Sequence, residues 1–325
     1  MGLNGAILAA GRGTRLHPLT TKLPKPLVPL AGRPLIEYCL DHLRDLGIET
    51  IGINAHHLAD RLRNGLSQRP RDIYVVHESE LQGTGGGIRG IAAQRAAETI
   101  VVINGDALFD FDLRSVIAKH RRRNALGTLV LRYVQPAAPF GRVGIDGSGR
   151  LHRVAEISAP GADSLTLFYG AYTGVQIIEP ALIDQIPLGE CDVLRTAYKA
   201  EISNHGAVYG DFVPPESTWI DVGTTERYLS AHWAILDGEF EVSHLPCADS
   251  SGRRISEAAE LAHDCQIIGP CVIMPGAHIE TGSTIGPYAF IGKNARIRAG
   301  LKVEGSVVWE GLTVTESAKG QVVID

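Results

Sequence analysis

Three absences narrow the reading before any motif is considered. The chain of 325 residues carries 31 lysines and arginines against 36 aspartates and glutamates, a formal net charge of −5. No global positive field is available to condense on a nucleic-acid backbone, so nucleic acid is excluded as a partner and any anion must be held locally. The five cysteines, Cys39, Cys191, Cys247, Cys265 and Cys271, form no CxxC pair. The first 30 residues contain no basic stretch followed by a long apolar run. These features predict a cytoplasmic protein with no membrane segment. Hydrophobic residues at 44% and charged residues at 21% exclude disorder, and the length predicts one large domain and a smaller one.

What is present first is a rhythm. From residue 5 to about 110, the apolar runs Ala6 to Ala10, Ile51 to Asn54, Ile73 to His77 and Ile100 to Ile103 read as strands. Between them lie amphipathic helices. One has Pro34 in its first turn, lines up Ile36, Leu40, Leu43 and Leu46, and stops at Gly47. Strand and helix in alternation predict a Rossmann-like, doubly wound α/β sheet. The runs Leu126 to Val134, Arg150 to Ile157 and Ala171 to Ile178 extend it as a mixed sheet, and Asp192 to Ile202 and Thr224 to Leu236 read as helices. This first domain is expected over residues 1–238.

Residues 239–325 differ. A branched apolar residue recurs every sixth position at Leu261, Ile267, Ile273, Ile279, Ile285, Ile291, Ile297 and Val303. Four residues after each of the first seven stand Cys265, Cys271, Ala277, Ser283, Ala289, Ala295 and Leu301, most of them small. A branched side chain filling the interior of each side and a small one at each corner predict a left-handed parallel β-helix with hexads over about 261–308. Seven hexads make about two coils. The flat flanks of such a coil fit self-association, so a homo-oligomer joined through residues 255–325 is expected.

The strongest local signal is Leu8 to Arg15, LAAGRGTR, an apolar strand opening into Gly11, Gly13 and Thr14. Glycines there let backbone N–H groups approach an anion. Alone, the pattern also suits a dinucleotide fold or a plain turn. Lys25 stands next, between Pro24 and Pro26, which restrict the backbone that carries its ammonium. Taken together, LAAGRGTRLHPLT and KPLVPLAGRPLIEY resemble the signature of the sugar-nucleotide pyrophosphorylases, nucleotidyltransferases that make NDP-sugars, over residues 5 to about 237.

The resemblance implies that Leu8, Ala10, Gly11, Gly13 and Thr14 wrap the nucleotide. Arg15 would steady the leaving pyrophosphate, and Lys25 would contact phosphate. Asn104 and Asp106 come after the buried run Ile100 to Ile103, at the carboxyl end of a strand where open α/β sheets bind ligands. Asp106 reads as a magnesium ligand, since that ion takes one or two carboxylates plus substrate phosphates. Asp221 in the WxDxGT-like segment Trp219 to Thr224 is its implied partner; a capping or turn role is the alternative. Glu80 to Gly87, ELQGTGGG, is similar to the family's base-reading loop, which gives Gln82, Gly83 and Thr84 to the nucleobase ahead of a helix from Ile88 to Ala97.

On the sugar side the chain departs from the family. Where the family has Glu-Lys-Pro, Glu156, Ile157 and Ser158 stand here, so Glu156 is kept for sugar hydroxyls and Arg142 or Arg153 is a candidate for the missing cation. Tyr172, Thr173 and Gly174 occupy the segment whose backbone lines the sugar. His56 and His57 point to surface or sugar-rim roles, because adjacent histidines diverge and no metal-ligand spacing supports them. His263 and His278 raise an acyltransferase reading of the coil, against which two coils favour a scaffold.

The activity implied is attack by the phosphate of a sugar 1-phosphate on the α-phosphorus of a nucleoside triphosphate, with Mg²⁺ as cofactor. A glycine-rich loop followed by a β-helix resembles the mannose-1-phosphate guanylyltransferases, which make GDP-mannose. GTGGGI and the missing lysine look more like the N-acetylmuramate 1-phosphate uridylyltransferases, and thymidylyl and heptose-specific relatives stay open. A non-catalytic subunit that senses sugar nucleotides is the reading of a different class.

Overall fold

The computed structural model describes residues 2–67, 73–95, 97–133 and 142–325, with only the backbone of Arg142. Contacts divide the chain into two compact units. One comprises Met1–Arg12, Leu23–Leu27 and Ile36–Asp221; the other comprises Gly13–Lys22, Val28–Leu35 and Val222–Asp325. Packing thus groups the helix Thr225–Leu236 and two N-terminal stretches with the coil, whereas composition changes near residue 238.

In the first unit, Leu3–Leu8, Ile51–Ala55, Ile73–His77 and Thr99–Asn104 are parallel strands. Except for the partly buried edge strand Ile73–His77, their apolar runs are buried on both faces, which is why Ile100 to Ile103 are at most 3% exposed. Alternate residues face opposite ways. Ile7, Val101 and Ile103 pack with Ile36, Leu40 and Leu43 of the helix Leu35–Asp45, while Ala6 and Val102 pack with Ile88 and Ile91 on the other face. From Leu3–Leu8 the sheet grows outward through Ile51–Ala55 to Ile73–His77; the chain then returns to lay Thr99–Asn104 on the other side of the first strand.

The long strand Phe168–Ile178 is antiparallel to Thr99–Asn104 and starts the mixed half of the sheet. It pairs with Gly127–Tyr133 along one edge, with a register break between Tyr172 and Gln176. On the other edge its first residues pair with Arg142–Ile145 and its last with Thr99–Asn104. The strand expected over residues 150–157 folds back instead: Leu151–Val154 pairs with Ile157–Ser158 around a turn at Ala155 and Glu156, with Ala155 at φ 51°. The expected helix over 192–202 is a π-turn, Leu194–Tyr198, running into Lys199–Ser203. The end expected at Val134 lies outside the described residues. Among the described residues no helix is long and apolar enough to cross a membrane.

In the second unit, short strands from Arg253–Ile255 to Val322–Val323 form three parallel sheets of five, four and four strands, a parallel β-helix. The coil makes four turns rather than about two. Its continuation past residue 308 was hidden because the spacing of inward residues becomes irregular after Val303, five residues to Val308, six to Val314 and four to Ala318, all buried.

The same unit holds a small hairpin, Pro29–Leu30 with Arg33–Pro34. Its Ala31 N–H donates to His232 Nε2 at 3.1 Å, and His232 Nδ1–H donates to the Tyr228 carbonyl at 3.0 Å. The imidazole is therefore neutral, and its complete burial pushes its pKa down to about 4. His244 Nε2–H donates to the Ala31 carbonyl at 2.7 Å, and Trp309 Nε1–H donates to the Tyr228 hydroxyl at 3.0 Å.

This histidine makes the stability of the unit depend on pH. The unfolded chain takes up the proton near pH 6.5 and the folded one near 4, so the contribution is full above about 6.5 and is lost as pH falls toward 4. The loss is up to about 3 kcal/mol. Denaturant unfolding between pH 7 and 4.5 should show that slope in the wild type and a flatter one in His232→Gln, which keeps an acceptor for Ala31. Equal slopes would contradict the assignment.

Candidate functional site

In an open α/β sheet the carboxyl ends of strands part where strand order reverses, and ligands enter there. Here the reversal falls between Leu3–Leu8 and Thr99–Asn104, whose register ends on the pair Leu8 and Asn104. The Gly105 N–H donates to the Leu8 carbonyl at 2.9 Å and closes the base of the cleft. Ala9 and Ala10 continue from Leu8, and Gly11 opens into space that no other atom occupies within 4 Å of its Cβ position.

Asp106 is the first acid beyond this junction. Its Oδ2 accepts from Lys25 Nζ at 2.5 Å, with only 12% of the lysine side chain exposed and 26% of the aspartate. Lys25 opens a single 3₁₀ turn, Lys25–Leu27, closed by Leu27 N–H on the Pro24 carbonyl at 2.8 Å. Immediately after Asp106, Ala107–Phe109 pairs antiparallel with Trp219–Asp221, which sets Asp221 directly across from Ala107. Of the two acids expected to share an ion, Asp221 thus lies in this two-stranded ribbon and Asp106 in the turn that leads into it.

Neighbouring bonds fix that ribbon. Trp219 Nε1–H donates to the Thr173 carbonyl at 2.8 Å, and the Thr173 hydroxyl donates to the Val130 carbonyl at 2.9 Å. Gly174, at φ 82°, lies so close to Asn104 that a Cβ would stand 2.8 Å from its Nδ2. Tyr172 packs its ring with the second apolar cluster, and burial pushes its phenol far above the ordinary value. What Tyr172 to Gly174 presents to a ligand is therefore backbone.

Among the described residues no group of three or more histidines, cysteines and acids could hold a metal unaided. Two carboxylates suit magnesium, which takes its other ligands from water and phosphates. In this structure the Asp106 carboxylate carries the Lys25 ammonium.

Gly13, Thr14 and Arg15 belong to the second unit. Thr14–Leu16 forms a 3₁₀ turn after Gly13 at φ 65°, and the Thr20 hydroxyl donates to the Gly13 carbonyl at 2.9 Å. Thr14 and Arg15 are exposed.

The glycine-rich run near residue 83 differs from expectation. The helix begins at Gly83 rather than at Ile88, so the run is its first turn. Gly83, at φ 66°, has no room for a side chain, since a Cβ would lie 2.4 Å from the Cys191 carbonyl oxygen. The Thr84 hydroxyl donates to Asp192 Oδ2 at 3.2 Å and accepts from the Val193 N–H at 3.0 Å, so it anchors that segment.

Glu156 is paired with Arg195, whose Nε lies 2.7 Å from Oε1, and that hydrogen bond holds the Glu156 carboxyl below its ordinary value. Arg153 is turned away to Asp163 and the Tyr169 hydroxyl. The Arg142 side chain lies outside the described residues. The signal for Arg195 was its place in a helix 39 residues beyond Glu156, which no local spacing reveals.

Two further polar residues gave no signal in the sequence. Asn54 and Glu78 are buried and hydrogen-bonded to each other at 2.7 Å beside the junction, and the expected rim residue His56 donates from Nδ1 to the Glu78 carbonyl at 2.9 Å. In the coil, His278 is paired with Glu260 at 2.8 Å on the surface.

A model of the nucleotidyl transferase family matches residues 4–238. The UTP–glucose-1-phosphate uridylyltransferase of Synechocystis is 29% identical, with 95% of this chain and 83% of that protein covered. The mannose-1-phosphate guanylyltransferase of Mycobacterium tuberculosis is 28% identical, with 96% and 81% covered. The solved structure of HddC from Yersinia pseudotuberculosis complexed with GMP-PN shares the fold, with a TM-score of 0.56, 23% identity, and 70% of this chain and 97% of that one covered.

The anchoring role of Thr84 has a direct consequence. Thr84→Val strands the buried Val193 N–H and should lower stability by about 1–3 kcal/mol in denaturant unfolding, with preference among nucleoside triphosphates unchanged. Altered base preference at unchanged stability would restore the base-reading role.

Proposed function

The chain belongs to the nucleotidyl transferase family, and from that premise we propose that it joins a nucleoside triphosphate to a sugar 1-phosphate and releases pyrophosphate. The observation that carries this reading is the Lys25–Asp106 pair just past the carboxyl end of Thr99–Asn104, with Asp221 on the strand that pairs with Ala107–Phe109.

In this reading the backbone at Leu8, Ala10, Gly11, Gly13 and Thr14, with Asn104, receives the nucleotide, and Gln82 and Gly83 meet the base. A phosphate oxygen of the sugar 1-phosphate attacks the α-phosphorus, and the bond to the β-phosphate oxygen breaks in the same displacement. No covalent bond to the protein forms. Arg15 takes charge from the departing pyrophosphate, and Lys25 passes from Asp106 to the phosphate in transfer, so both act by positioning and charge neutralisation. Asp106 and Asp221 would hold Mg²⁺, which supplies further positive charge to the phosphates when bound. Glu156, and the backbone of Tyr172, Thr173 and Gly174, would receive the sugar, with Arg195 supplying the cation beside Glu156.

Among substrates, GTP and mannose 1-phosphate come first, supported by likeness along most of the chain, coil included, to the Mycobacterium tuberculosis guanylyltransferase. UTP with another sugar 1-phosphate, N-acetylmuramate 1-phosphate among them, is the second reading, favoured by the run GTGGGI and the absence of a lysine after Glu156. The half-buried pairing of Lys25 with Asp106 weighs against a non-catalytic sensor, which has no need of it.

Pyrophosphate release, measured with magnesium over a grid of triphosphates and sugar 1-phosphates, should single out one productive pair. On that pair Asp106→Ala should lower kcat by about 100-fold or more with the fold intact by circular dichroism. Near-normal turnover in the variant would refute the assignment.

A further inference from the structure

Three neighbouring strands of the first unit end side by side, and a buried polar pair ties together the segments that leave them. Asn54, at the end of Ile51–Ala55, accepts from the Ala9 N–H through Oδ1 at 2.7 Å. Its Nδ2–H donates to Glu78 Oε1, also at 2.7 Å. Glu78, just past Ile73–His77, accepts from the Gln82 N–H through Oε2 at 3.0 Å. Asn54 is 2% exposed and Glu78 6%.

The backbone of Glu78 is held too, its N–H on the Ala55 carbonyl at 2.8 Å and its carbonyl by His56. Gly87 leaves the pair its space, because a Cβ there would lie 2.4 Å from Asn54 Nδ2. The carboxylate also sits at the amino end of the ten-residue helix Gly83–Ala92, where negative charge is favoured.

We propose that Glu78, acting through Asn54, is a positioning residue for the nucleotide. It fixes the spacing between the strand end at Ala9, which leads into the phosphate-binding backbone, and the helix start at Gln82, which meets the base. The inference rests on the functional reading above and adds a residue to it that touches neither substrate. A carboxylate is required because two N–H donors arrive from different directions and each takes one oxygen. An amide offers one acceptor and would turn its own N–H₂ toward one of the donors.

The test is an exchange of polarity. Glu78→Gln should raise the KM and the calorimetric Kd for the triphosphate by about tenfold or more, the effect of losing a charge-assisted bond, and leave the KM for the sugar phosphate within about twofold. Asn54→Asp combined with Glu78→Gln restores all three bonds and the single negative charge. The new carboxylate at position 54 accepts from Ala9 N–H and from the amide at position 78, whose oxygen accepts from Gln82 N–H. This double variant should return to within about threefold of the wild type.

An unchanged triphosphate Kd in Glu78→Gln, or a double variant no better than the single one, overturns the proposal. If Glu78→Gln alone does not fold, a folded double variant with near-normal binding supports it. Hydrogen exchange of wild-type Ala9 and Gln82 amides gives an arm free of variants: protection at both supports the brace, and rates of exposed amides overturn it. A wild type silent across the substrate grid would sink the functional reading instead, while calorimetry and exchange still report on the brace.

Discussion

The parallel pairing of Leu3–Leu8 with Thr99–Asn104 is the constraint on which the rest of the first unit depends. Six residues are in register, and the same first strand pairs on its other edge with Ile51–Ala55, so Asn54, Leu8 and Asn104 end level with one another. A slip of one residue would turn Ile7, Val101 and Ile103 out of their cluster and Ala6 and Val102 out of theirs, which the double-sided burial forbids. The register therefore decides where the chain leaves the sheet. It leaves as a glycine-bearing loop from one strand and as an acid from the next, and the proposed chemistry depends on that coincidence.

Burial also explains why several polar side chains at this edge hold backbone groups. An unpaired donor or acceptor there costs about 1–3 kcal/mol, so Asn54, Glu78, Thr84 and Thr173 each answer backbone groups of other segments. In the second unit the same rule acts through His232 and His244, which take the N–H and the carbonyl of Ala31. The coil meets its own requirement differently. Each strand pairs with the one three strands later, and the interior is filled by one branched side chain per side.

Much of this was legible in the chain itself, for reasons that differ by residue. Ile273, Ile279, Ile285 and Ile291 gave the coil away because a six-residue side repeats its inward position without exception. Its last turn was not legible, since sides of unequal length remove the period while keeping the burial. Asp106 could be placed from the four apolar residues Ile100 to Ile103 ahead of it, because they mark a buried strand and open α/β sheets bind ligands at the carboxyl ends of strands. The anchoring bonds of Thr84 were not legible because its partners Asp192 and Val193 lie more than 100 residues away, and a threonine in a glycine run gives no sign of a distant anchor. Arg195 was missed for the same reason. Asn54 and Glu78 look like ordinary solvent-facing residues at strand ends, and only the level alignment of three strands brings them inside.

The central claim is that a nucleoside triphosphate lies where strand order reverses, and a crystal structure with a non-hydrolysable triphosphate and magnesium addresses it most directly. The account predicts phosphates along the backbone from Ala9 to Gly13 within reach of Lys25, the base beside Gln82 and Gly83, and the ion on Asp106 and Asp221. A triphosphate bound elsewhere, with Lys25 still on Asp106 and no ion between the two carboxylates, would contradict it.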